Sequence, residues 1–105
     1  MYVAVTAAGV RVGDPDDCTS LDVRAAPDLR SGLDEVLRHA GLGRWDGGAE
    51  ADLQLAELRR RAVAAVISAD WARRWDDMID YAGRRGWLSA DGATVRAHVV
   101  DLPPT

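Results

Sequence analysis

Asp76-Asp77-Met78-Ile79-Asp80 sets three carboxylates in a DDxxD pattern. Hard oxygen ligands at this spacing on a helix can hold magnesium against a diphosphate. That chemistry needs a large all-helical cavity, which a chain of 105 residues cannot enclose. Arg73 stands four residues before Asp77, and Arg84 four after Asp80. These spacings predict intrahelical ion pairs of about 0.3 kcal/mol each. A solvated helix face accounts for the motif, and no metal is assigned to it.

A second acidic group, Asp14, Asp16, Asp17 and Asp22, has the density of a calcium loop. It lacks the glycine at the sixth position and the closing glutamate that such a loop uses. Asp-Pro-Asp-Asp is also ordinary turn chemistry, and the sequence is read that way.

Covalent catalysis needs a nucleophile beside an oriented base. Cys18, the single cysteine, sits among carboxylates, which predicts a raised thiol pKa and a blunted nucleophile. One cysteine also excludes an internal disulfide and a cysteine-based zinc site. His39 falls in the last turn of a predicted helix, where the dipole favours an imidazolium. His98 shares a strand face with Arg96 and Val100, opposite Val95, Ala97 and Val99, and that face either meets solvent or lines a groove. No spacing gives either histidine a partner, so no catalytic residue and no cofactor is assigned.

Binding is better served. Gly41-Leu42-Gly43-Arg44-Trp45-Asp46-Gly47-Gly48 is no phosphate loop, since it has no lysine and follows no clear strand. It does present Arg44 and Trp45, residue types enriched at interaction hot spots, unless Trp45 folds back over the end of the core. Arg59 falls inside the apolar arc of a predicted helix, so it must snorkel, pair with Asp52, or face a partner. Arg44, Trp45, Arg59, Arg96 and His98 are therefore the candidate partner- or ligand-binding residues.

These side chains must be positioned by one domain spanning residues 1–105. With 48% hydrophobic and 29% charged residues, the composition is that of a globular protein with its own core. All 13 basic residues are arginine, and lysine, asparagine and phenylalanine are absent. This bias suggests a GC-rich bacterial genome and weakens any special meaning of arginine. A net charge of −4 argues against a nucleic-acid partner. The N-terminal segment does not read as a signal peptide, and no apolar run approaches the ~20 residues of a membrane span. The expectation is a cytoplasmic protein.

Tyr2 to Thr6 and Val10 to Val12 alternate as a hairpin, and Leu21 to Arg24 as a short third strand. Pro27 opens a helix whose Leu29, Leu33, Val36, Leu37 and Ala40 form one stripe, closed by Gly41. A second helix is placed from Glu50 or Ala51 to about Ile67, and a third after Ser68 with Trp71, Trp75, Met78, Ile79 and Ala82 inward. Trp87-Leu88 and Thr94 to Asp101 read as a closing hairpin, and Pro103-Pro104 ends regular structure. The predicted class is α+β, an antiparallel sheet made of the N-terminal and C-terminal hairpins with three helices on one face. Its first and last strands are placed as neighbours.

The function this supports is a small, non-catalytic binding or interaction module, acting on a protein partner or on itself. One alternative is a winged-helix-like regulator, disfavoured because Asp76, Asp77 and Asp80 on its reading helix would repel phosphates. The other is a ligand-binding protein or enzyme with a pocket between sheet and helices. Trp71, Trp75 and Trp87 could line that pocket, with His98, Arg96, Arg59 and Tyr81 as its polar groups.

Overall fold

A computed structural model describes residues 1–66 and 68–102. Six strands are present: β1 (Tyr2–Thr6), β2 (Gly9–Gly13), β3 (Asp22–Ala25), β4 (Gly43–Trp45), β5 (Glu50–Gln54) and β6 (Thr94–Asp101). Three helices accompany them: α1 (Leu33–His39), entered through a 3-10 stretch at Pro27–Gly32, then α2 (Leu55–Val63) and α3 (Trp71–Arg84). The class is α+β. No helix among the described residues is long and apolar enough to cross a membrane.

The strands form one sheet in the order β2-β1-β3-β6-β5-β4. It is mixed rather than antiparallel: β1 pairs with β3, and β3 with β6, in parallel. The reason lies at the end of the first hairpin. Gly13 of β2 lies opposite Tyr2 of β1, so the chain leaves β2 where β1 begins. The following loop has only to cross that end, and it starts β3 beside Tyr2 with Asp22 as its register partner. A strand that begins where its neighbour begins must run parallel to it. β3 thereby separates β1 from β6, so the first and last strands are not neighbours.

The second helix is shorter than the sequence suggests. Residues 50–54 alternate in burial, with Ala51 and Leu53 inward, and pair with both β4 and β6. The chain turns helical only at Leu55. Ala51, Leu55, Leu58 and Ala62 also fit a helical stripe, which is why the strand reads as helix. The expected helix end at Ile67 and the terminating Pro103-Pro104 lie outside the described residues. The closing hairpin shrinks to a single bridge, Leu88 with Val95, beside the long strand β6.

Alternation of period two decides which face is buried. Val3, Val5, Val23, Ala25, Ala51, Leu53, Val95, Ala97 and Val99 point into one core together with Leu33, Leu37, Leu58, Ala62, Trp71, Trp75 and Ala82 of the helices. α2 touches β2 at one margin and β5 near the other, so the sheet curls around it as a half-barrel. The other sheet face carries Arg11, Arg24, Asp52, Arg96 and His98, in or near solvent. Two glycines sit at close approaches, and the one at Gly43 is required because it faces backbone. A Cβ on Gly13 would fall inside the Tyr2 ring, and one on Gly43 (φ 147°) would strike the Asp52 carbonyl.

Candidate binding cleft

β6 is the strand on which the candidate residues converge, because its two halves have different neighbours on one side. His98 to Asp101 pair with β3, from Asp22 to Ala25. At the other end Val95 bridges Leu88, and the Arg96 N–H donates to the Trp87 carbonyl at 2.9 Å. The two neighbours arrive from opposite ends and leave a notch between Leu21 and Trp87. Ala97 lies at its base, and α3 passes behind it.

That notch is a cleft of about 330 Å³. Leu21, Met78, Ile79, Ala82, Trp87, Val95 and Ala97 give it apolar walls, and Glu50, Arg96 and His98 form a polar rim. Tyr81, 49% exposed, stands at its mouth and meets the Trp87 ring edge-on, with centroids 5.7 Å apart and planes at 74°. This is a favourable quadrupolar geometry that fixes both rings. The Arg96 guanidinium donates to the Gly86 carbonyl at 2.6 Å, which holds it over the Trp87 side of the cleft. His98 lies in register between Asp22 on β3 and Glu50 on β5. Asp22 is engaged by Arg24 at 2.9 Å.

A second groove, of about 640 Å³, adjoins the first and shares Glu50 and Arg96 with it. Its lining is charged: Asp34, Arg38, Arg44, Asp46 and Asp52 with Trp45. Arg44, Asp52 and Arg96 occupy one row across β4, β5 and β6, and Arg44 lies 3.5 Å from the Asp52 carboxylate. Asp34 accepts the Trp45 N–H at 2.7 Å and Arg38 at 2.9 Å. These bonds, that from Trp45 first, hold its carboxyl below the usual range.

Of the residues singled out by sequence, Arg96 and His98 share the apolar cleft, while Arg44, Trp45 and Arg96 share the charged groove. Trp45 belongs to β4 rather than to a free loop; it is half-buried against the core, and its indole N–H donates to the Gly48 carbonyl at 2.8 Å. Arg59 stands apart from both sites. Its guanidinium lies 5.4 Å from the centre of the Trp71 ring, and the expected partner Asp52 is on β5 facing Arg44. Trp71 and Trp75 stack at 5.4 Å inside the core and line neither site. Trp87, Tyr81, Arg96 and His98 are brought together, as a sheet–helix pocket would require. Glu50 and Leu21 escaped the sequence reading. For Glu50 the signal was the alternation of Glu50-Ala51-Asp52-Leu53-Gln54, masked by the helical stripe that follows.

The acidic clusters on α3 and in the loop after β2 lie outside both sites. Asp76, Asp77 and Asp80 are exposed on α3, and Arg73 reaches Asp77 at 3.6 Å. Arg84 lies over the Tyr81 ring at 6.0 Å rather than against Asp80. Asp16 binds Arg74, and Asp17 accepts Thr19 N–H at 2.9 Å. The Cys18 thiol is pushed up chiefly by burial, while Arg74 pulls it down and the neighbouring aspartates contribute least. Arg96, placed by sequence on a closing hairpin, lies instead on the long inner strand β6.

No family model matches the chain, and no curated protein or solved structure is significantly similar to it.

Proposed function

We propose that this chain is a non-catalytic binding domain and that the notch beside β6 takes the apolar part of a small ligand. The observation that carries this reading is the convergence of Tyr81, Trp87, Met78 and Ile79 with Arg96, His98 and Glu50 in one cleft. Small-molecule sites typically combine apolar and aromatic walls with a few polar groups in about 300–1,000 Å³, and this one lies at the low end. The notch exposes side chains of α3 through a gap in the sheet that β3 and Trp87 leave unfilled. The charged groove around Trp45 is the weaker candidate, because its aspartates and arginines largely satisfy one another.

Chemical-shift mapping tests the reading. Titrating benzyl alcohol into the labelled protein is expected to shift the Trp87 indole and the amides of Tyr81 and Ala97. Trp87→Ala should abolish the remaining shifts. Diffuse shifts, or shifts centred on Trp45, would remove the cleft from consideration.

A further inference from the structure

We infer that the ligand of this cleft is a free α-amino acid with an apolar side chain, its ammonium held by Glu50 and its carboxylate by Arg96. The inference rests on the cleft being the binding site and adds the chemistry of the head group. Glu50 and Arg96 both line the apolar cleft and the charged groove, so they mark the seam between the two. Glu50 is in register with His98, and Arg96 with Asp52. The two are therefore diagonal neighbours on adjacent strands, with backbones on the order of 7–8 Å apart.

Neither is in an ion pair among the described residues. The nearby alternatives are taken, since Asp52 serves Arg44 and Asp22 serves Arg24. Arg96 spends one donor on the Gly86 carbonyl, which fixes the guanidinium, and the rest of its five-donor fork stays available to a carboxylate. A carboxylate and a guanidinium on adjacent strands that are not paired with each other leave a gap that a zwitterion closes. Each end then makes a charge-assisted hydrogen bond. An α-amino acid carries both charges on one carbon, so its side chain must leave in a third direction. From this rim that direction is the notch, where Met78, Ile79 and Trp87 offer apolar contact. A purely anionic ligand would meet Glu50 unpaired, and a purely cationic one would meet Arg96.

Four probes with one apolar body separate the terms: L-phenylalanine, 3-phenylpropanoate, phenethylamine and 3-phenylpropanol. The expected result, by calorimetry or by Trp87 shifts, is that L-phenylalanine binds about ten-fold more tightly than any of the others. Glu50→Gln should lower its affinity to that of 3-phenylpropanoate, and Arg96→Gln to that of phenethylamine. Because the four-probe comparison is made on the unaltered protein, it decides the matter even if a variant folds poorly. If all four bind within about two-fold of one another at Trp87, the cleft stands and the amino-acid inference is overturned. If the propanoate or the amine equals phenylalanine, it is overturned too. If none binds, both the inference and the cleft reading fall.

Discussion

Arg74 of α3 and Asp16 of the loop after β2 are joined twice: the guanidinium donates to the Asp16 carboxylate at 3.0 Å and also to its main-chain carbonyl. Beside them the Trp71 indole N–H donates to the Pro15 carbonyl at 2.7 Å. The loop that reads as an acidic run is thus a latch. It ties the end of β2 to the start of α3, and so sets how α3 lies behind the cleft.

The latch predicts that Arg74→Met, which keeps the apolar stem, lowers Tm by a few degrees. Amides of residues 14–20 should exchange faster in the variant. An unchanged Tm with unchanged exchange would mean that Arg74 does not hold the loop, leaving it to the Trp71 indole and the Met1 ammonium, which donates to the Asp17 carbonyl at 2.7 Å.

The same chain carries a pH-sensitive surface pair of a different kind. Glu57 accepts Arg60 at 2.5 Å and Arg61 at 2.7 Å, and these two partners depress its pKa from 4.5 to about 2. Because the folded value lies below the unfolded one, the stabilisation is complete above pH 4.5 and is lost as pH falls toward 2. Asp34 and Asp91, also depressed by hydrogen bonds, act in the same direction. Urea midpoints should therefore decline through this acid window. Glu57→Gln should show a shallower decline there and a lower midpoint at neutral pH. High salt should shrink the difference, since the pair is at the surface. Parallel profiles for the two proteins would show that Glu57 gains nothing from its arginines.

The sequence reveals elements where one periodicity acts alone. Trp71, Trp75 and Ala82 repeat only at helical spacing, and α3 buries those three. Val95, Ala97 and Val99 repeat only at spacing two, and β6 buries each of them. Ala51 to Leu55 fits both periods at once, by alternation with Leu53 and by a helical stripe with Leu58 and Ala62, and local pattern cannot choose between them. The choice is made by β4 and β6, whose edges lie on either side and take the backbone hydrogen bonds of residues 50–54. Parallel pairing of β1, β3 and β6 is likewise non-local, since it joins residues as distant as Val23 and Val99. The cleft inherits this. Arg96 and His98 stand out on an alternating strand, but Glu50 and Leu21 become neighbours only once the sheet order is known.

Trp45 tests whether the charged groove is an interface or part of the frame. Its indole is tied to the Gly48 carbonyl, its ring packs against the core, and the Arg30 guanidinium lies 5.9 Å from its centre. Arg30 in turn reaches Asp101 at 3.0 Å, so the tryptophan helps to close one end of the sheet. Complete burial of a tryptophan is worth about 3 to 5 kcal/mol on truncation, and half-burial on the order of 2. Trp45→Ala should thus lower Tm by roughly 8 °C or more, while solution mass by light scattering across a concentration series stays as in the unaltered protein. A variant with unchanged Tm and lower mass would reverse the assignment. Trp45 would then be a contact residue between copies of the chain, and the groove along β4 would be an interface rather than part of the frame.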